Sequence, residues 1–174
     1  MTRALAPRSD PGDGPDWRRV HPPIHSVLDA LTFRMARLVA VNDLEGTLRF
    51  REAYGLSLNE WRVIGVVHAL APVTFGRVRR ILVMDKGQLS RVVKVLSDRG
   101  LLLTRPGADD ARSVDLSLSD AGETLHDAVL EFTAERNEHV VATLTRDECR
   151  EFMRLLQKLT AHNEMLSELA GVLE

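Results

Sequence analysis

The sequence predicts a mainly α (α+β) chain, with long helices at both ends and, between them, two short helices followed by a single β hairpin. Three observations carry this. Apolar residues recur at steps of three and four from Ile24 to Leu159. Strict alternation is confined to Val114, Leu116 and Leu118 against Ser113, Asp115 and Ser117. Residues that start and stop helices stand at the ends of the periodic runs.

Residues 1–23 hold Pro7, Pro11, Pro15, Pro22 and Pro23 with Gly12 and Gly14, which blocks helix and sheet propagation and reads as a loose arm. Ile24, Leu28, Leu31, Met35 and Leu38 then mark an amphipathic helix from about Ser26 to Val41. A short helix from Leu48 to Tyr54 is expected to stop at Gly55. The next helix starts after Ser57 or Asn59, runs through Trp61, Ile64, Val67 and Leu70, and is interrupted by Pro72.

Thr74 opens a short helix with Val78, Ile81 and Leu82 expected to face inward. Asp85 and Gln88 have the spacing at which each side chain satisfies a free amide at a helix start. The helix they open runs through Leu89, Val92, Val93 and Leu96 to Gly100. Two short helices joined by a tight turn, the second one capped and basic on its outer face, make a helix-turn-helix. Leu101 to Arg105 and Val114 to Leu118 are expected to pair across a turn-rich loop, Pro106 to Asp110, as a wing.

Ser119 is placed to cap a helix through Leu125, Val129, Phe132, Val140 and Leu144. Thr145 and Glu148 are placed to cap a last one with Cys149, Phe152, Leu155, Leu156 and Leu159 on one side. The first helix and these two are too long and too apolar for a compact middle of roughly 100 residues to cover. A second copy of the chain is the economical partner. The organisation expected is therefore a flexible arm at 1–23, dimerisation helices at 24–55, a winged helix-turn-helix domain at 56–118 and dimerisation helices at 119–174.

Composition narrows the function. The 174 residues are 44% hydrophobic and 28% charged, which suits one globular folding unit and excludes disorder over the whole length. No run approaches the roughly 18 to 20 apolar residues of a membrane span, and the start lacks the apolar core of a signal peptide, so the expected compartment is the cytoplasm. Cys149 is the single cysteine; it sits on an apolar helical stripe and is expected to pack as a small hydrophobe. The chain has no Gly-rich phosphate loop, H-E-x-x-H, nucleophile elbow or framed pair of carboxylates, so no enzyme chemistry and no cofactor are expected. Glu135 and His139 stand at helical spacing but supply only two potential metal ligands, so no metal site is assigned.

The net charge is only −2, yet residues 77–112 hold nine basic and four acidic residues. A basic zone inside an acidic protein is the footprint of a module that meets phosphates, although a solvated charged face would look the same by charge alone. An α-helix fits the major groove, and the outer face of the second short helix carries Lys86, Gln88, Ser90, Arg91 and Lys94. Gln88 can pair with adenine and Arg91 with guanine, while Ser90 and Lys94 suit phosphate or mixed contacts. At the wing, Arg112 suits a narrow minor groove and Asp110 is placed to orient it.

The segment Asp85-Lys86-Gly87-Gln88-Leu89-Ser90-Arg91-Val92-Val93-Lys94-Val95-Leu96-Ser97-Asp98-Arg99-Gly100-Leu101 resembles the recognition helix of the MarR family of regulators. The run Asp109-Asp110-Ala111-Arg112-Ser113-Val114-Asp115-Leu116-Ser117-Leu118-Ser119-Asp120-Ala121-Gly122 resembles that family's wing and following helix. The likeness extends from about Ser26 to Leu166. It implies a homodimer with two reading heads on a pseudo-palindromic stretch of double-stranded DNA, and usually repression relieved by a small ligand. By position, Gln88, Ser90, Arg91 and Lys94 match the recognition helix and Asp110 and Arg112 the wing; Thr74 and Lys86 join them as expected DNA-contacting residues. Val83 stands in the turn where the family often has glycine. Arg79 stands where a small residue is common, and is expected to add a phosphate contact.

The resemblance also implies a cleft for a small aromatic or phenolic acid between the dimer helices and the reading head. His25, Arg34, Trp61, Arg62 and His68 would border it, although Trp61 at apolar spacing and His68 on an apolar helix also fit plain core positions. The alternatives to a ligand-responsive regulator are a metal- or thiol-responsive sensor on the same scaffold and an interaction module that does not bind DNA.

Overall fold

The computed structural model describes residues 22–107 and 113–169. The chain divides into two compact units, 1–41 and 42–174. No helix among the described residues is long and apolar enough to cross a membrane.

In the first unit a 3-10 turn, Val27–Asp29, is opened by Ser26. The Ser26 hydroxyl accepts from the Leu28 amide, and the Asp29 carboxylate accepts from the amides of Ser26 and His25. Those amides hold the Asp29 carboxyl below its ordinary pKa. Arg34 donates from Nε to the Leu28 carbonyl at 3.0 Å and lies 3.6 Å from Asp29. Helix α1, Leu31–Tyr54, begins here; Leu31, Met35 and Leu38, the apolar stripe of the sequence, are all exposed.

The two helices expected between Ser26 and Tyr54 are one 3-10 turn and one continuous helix. Gly46 is a weak helix former that invites a break, but the Arg136 guanidinium occupies the space beside it where a Cβ would stand and packs against the uninterrupted backbone. Gly55 ends the helix at φ 62, as expected of a glycine stop.

Within the second unit α2, Leu58–Leu70, is capped by Ser57 and Glu60, each accepting from the other's amide, at 3.2 and 2.6 Å. Val63, Ile64 and Val67 form its buried face. Strand β1, Val73–Thr74, follows. Helices α3, Phe75–Leu82, and α4, Lys86–Asp98, come next, then strands β2, Leu102–Pro106, and β3, Val114–Leu118. The sheet is antiparallel in the order β1-β3-β2. Its ladder runs from Leu102 opposite Leu118 to Pro106 opposite Val114, and the Gly107 amide extends it to the Ser113 carbonyl at 3.0 Å. Pro106 is tolerated because β2 is an edge strand. β1 is too short for any alternation to signal it; it exists because Val73 and Thr74 pair with Leu116 and Asp115.

Helix α5, Asp120–Val141, is capped by Ser119 as expected, and α6, Arg146–Leu169, by Thr145 with Glu148. The Thr145 amide and hydroxyl hold the Glu148 carboxyl below its ordinary pKa, so the cap is fully formed above that ordinary value and is lost as pH falls through the lowered one. The core joins Val63, Ile64 and Val67 to Phe50, Val78, Leu89, Leu96, Leu102, Leu116 and Val129. The inward-facing expectation for Ile81 is corrected, and the apolar alternation of β3 reaches the core at only two of its three positions. Ile81 is 47% exposed because Val78 and Leu82 take the inward positions of the short α3. Val114 is 41% exposed because it closes the far end of the ladder, while Leu116 and Leu118 reach the core.

The junction between hairpin and α5 is tight. Ser119 Oγ donates to the Gly100 carbonyl at 2.6 Å, and the Ser119 amide donates to the Leu101 carbonyl at 3.2 Å. Gly122 lies against that same carbonyl, and a Cβ at Gly122 would collide with it. Replacing Gly122 with alanine is expected to cost about 2 kcal/mol, because backbone rather than a flexible side chain must yield. Urea unfolding of Gly122→Ala measures this, and an unchanged midpoint would contradict the packing.

The turn between α3 and α4 is equally constrained. Val83 adopts the left-handed conformation, φ 50 and ψ 43, with its amide directed to the Arg79 and Arg80 carbonyls, and the Met84 amide also reaches the Arg79 carbonyl. The valine accepts the glycine-like geometry and its steric cost. Its side chain is exposed and contributes no buried packing. Val83→Gly is therefore expected to stabilise the protein by about 1 kcal/mol, the strain relieved less the added freedom of the unfolded chain, read as a rise in thermal midpoint.

Candidate nucleic-acid interface

Helix α4 is anchored by one row of side chains, Leu89, Val93 and Leu96, all buried. At about 100° per residue the opposite face falls to Gly87, Arg91 and Lys94, flanked by Ser90 and Gln88, while Lys86 is exposed at the first position of the helix. The sequence-predicted residues are therefore brought together on one helix. Lys86, Ser90, Arg91 and Lys94 are exposed and Gln88 is half-buried. Asp85 Oδ1 accepts from the Gln88 amide at 2.8 Å, which forms the Asp85 half of the expected cap.

The charges on this face are available for a polyanion. Arg91 has no ion-pair partner among the described residues. Lys94 Nζ lies 2.7 Å from Asp98 Oδ2, but both side chains are largely exposed, and a pair of this kind is worth little in water. Thr74 has a structural task, since its hydroxyl accepts from the Arg77 amide and caps α3. Arg79 is half-buried, whereas Arg77 and Arg80 on the same helix are exposed. Those two were counted in the basic zone of the sequence but left out of the site; on a helix of eight residues only the burial of Val78 tells which arginines point outward. Asp110 and Arg112, the wing residues, lie outside the described residues.

The candidate ligand residues divide between the two units. In the first, the His25 backbone amide donates to Asp29 and the Arg34 side chain lies 3.6 Å from the same carboxylate. His68 Nδ1 lies 2.7 Å from Glu123 Oε2, and its ring stacks at 3.6 Å on buried His126, which in turn lies beside Trp61. Trp61 and Arg62, by contrast, line a cavity of about 170 Å³ in the second unit. Asn42, Asp43 and Phe50 of α1, Leu58 of α2, and Thr133, Arg136, Asn137 and Val140 of α5 complete its wall. Arg62 is held by both oxygens of Asp43 at 3.0 and 3.2 Å. Arg136 donates to the Asn42 carbonyl and side-chain oxygen at 2.9 and 2.8 Å, and its guanidinium lies 5.6 Å from the centre of the Phe50 ring.

Arg136, Phe50 and Asp43 carry no motif, and no periodicity joins three helices at one cavity. Glu135 and His139 are also resolved: His139 Nδ1 lies 2.8 Å from the carbonyl oxygen of Glu135, not from its carboxylate. Cys149, expected to pack as a small hydrophobe, is half-buried on α6, and among the described residues none that forms the core belongs to that helix.

Comparison with known proteins supports the same reading. Residues 54–113, from the last residue of α1 to the residue before β3, match the MarR family. The chain is 25% identical over 122 residues to YkoM, an HTH-type transcriptional regulator of Bacillus subtilis (strain 168), covering 70% of this chain and 79% of YkoM. A probable transcriptional regulator from Pseudomonas aeruginosa superposes with a TM-score of 0.66 at 25% identity, over 77% of this chain and 99% of that one. The PcaV transcriptional regulator from Streptomyces coelicolor, solved with its natural ligand, superposes with a TM-score of 0.65 at 20% identity, over 80% of this chain and 98% of its own.

Proposed function

We propose that this chain, a MarR-family winged helix-turn-helix transcriptional regulator, represses transcription by binding a pseudo-palindromic operator as a homodimer, and is released by a small ligand. The observation that carries the proposal is the division of α4 into a buried row, Leu89, Val93 and Leu96, and an exposed polar row that includes Ser90, Arg91 and Lys94. A helix fixed in this way presents Arg91 to base edges and leaves Lys94 for phosphate. Thr74, Arg79, Lys86, Gln88 and Ser90 complete the proposed contacts on the helices, with Asp110 and Arg112 at the wing. Arg77 and Arg80 add exposed positive charge on the helix that crosses the DNA backbone in this motif.

A dimer is supported by apolar surface that the chain leaves uncovered. On α6, Phe152, Met153, Leu155, Leu159, Met165 and Leu166 are all exposed, an amount of apolar surface that a monomer in water rarely leaves open. In the proposed assembly the terminal helices, 24–55 and 119–174, clasp a second copy, and 56–118 reads DNA. The cavity around Trp61 and Arg62 is the proposed effector site, and the ligand-bound PcaV structure supports a small-molecule mode of control.

Two measurements test this reading. Sedimentation at micromolar concentration is expected to give twice the chain mass throughout, and a cooperatively folded monomer would remove the two-headed arrangement. Operator titrations are expected to separate two roles on α4. Arg91→Ala costs about 1–3 kcal/mol and flattens discrimination at one base pair. Lys94→Ala weakens all duplexes alike and lowers the salt slope by about one. Identical behaviour of the two variants across operator sequences would overturn the assignment.

A further inference from the structure

Two cations share the outward row of α4, and they are in different electrostatic states. Arg91 is exposed and has no ion-pair partner among the described residues. Lys94 Nζ lies 2.7 Å from Asp98 Oδ2. At about 100° per residue Asp98 falls between Lys94 and Arg91 in projection down the helix, opposite the buried Leu96, so a carboxylate stands on the same face as the groups proposed to meet DNA. Arg99, the next residue, is directed elsewhere, with Nη1 3.1 Å from the Gly55 carbonyl oxygen.

The fold gains little from this carboxylate. Asp98 is the last residue of α4, where a negative charge opposes the helix dipole. A lysine four residues before its acid is the weaker order for a helical pair, and both side chains are mostly in water, 74% exposed for Lys94 and 63% for Asp98. The effect of the charge falls instead on what the face can bind.

We propose that Asp98 sets the strength of DNA binding by competing with backbone phosphate for Lys94. This deepens the reading of α4 as the recognition helix and rests on it. A phosphate oxygen that takes Lys94 displaces the Asp98 carboxylate and leaves it unpaired on a face turned to a polyanion, so each such contact is weakened. Arg91 has no competitor of this kind, and contact with base edges is spared while the sequence-independent grip is reduced. The consequence is faster release from DNA of any sequence.

The test needs no operator. A mixed-sequence duplex about three helical turns long is titrated with the full-length protein between roughly 50 and 200 mM salt. Asp98→Asn is expected to bind it at least about threefold more tightly and with a steeper salt dependence, whereas Asp98→Glu, which keeps the charge at the same spacing, binds like the unaltered protein. In a Lys94→Ala background the Asp98→Asn change alters the net charge equally, yet most of the gain disappears. A gain that persists in full in that background makes Asp98 a direct repellent of phosphate and overturns the competition. Unchanged affinity in Asp98→Asn, with salt-dependent binding intact in the unaltered protein, overturns the role of Asp98 alone. Absence of salt-dependent binding by the unaltered protein overturns the reading of α4 together with it.

Discussion

Burial of one face of α2 is the constraint on which the second unit depends. Val63, Ile64 and Val67 are completely removed from solvent, and α2 packs against α3, α4, α5 and β3. Each such side chain contributes on the order of 1.5–3 kcal/mol by leaving water. The direction matters as much as the amount, because Leu89 and Leu96 of α4 and Leu116 of β3 share the same core. The exposed row of α4 points outward because its opposite row has no other place to go. A polar substitution on the α2 face would disturb the reading helix without touching any residue proposed to meet DNA.

The sheet and the junction after it serve the same geometry. β3 is the central strand and pairs on one side with the residues that lead into α3 and on the other with the outgoing wing strand. Ser119 and Gly122 then lock the start of α5 to the carbonyls of Gly100 and Leu101. Helix ends and strand ends thus share a few backbone groups, and side chains that satisfy them set the angles at which the elements leave. Small residues at such places follow from the absence of room, not from flexibility.

The cavity between α1, α2 and α5 combines apolar walls with polar groups that bond one another. Three helices contribute to it, and each supplies both an apolar surface and a group that can bond. Asp43 and Arg62 satisfy one another, whereas Arg136 is oriented by Asn42 without being neutralised.

How much of this was legible before the fold depends on the range of the interaction. The caps at Thr74, Asp85, Ser119 and Thr145, the glycine stop at Gly55, the two longer wing strands and the shared outer face of Gln88, Ser90, Arg91 and Lys94 were determined by the sequence alone, because each rests on residues within a few positions of one another. The unbroken α1 through Gly46, the strand β1, the outward turn of Ile81 and Val114, and the meeting of Arg136 with Asn42 and Phe50 were decided only by tertiary structure. Arg136 and Asn42 are 94 positions apart, and no local period records which side chain will fill the space beside a glycine. Local periodicity says which face of an element is apolar; only packing says what that face meets, and sites built where several elements meet become visible only then.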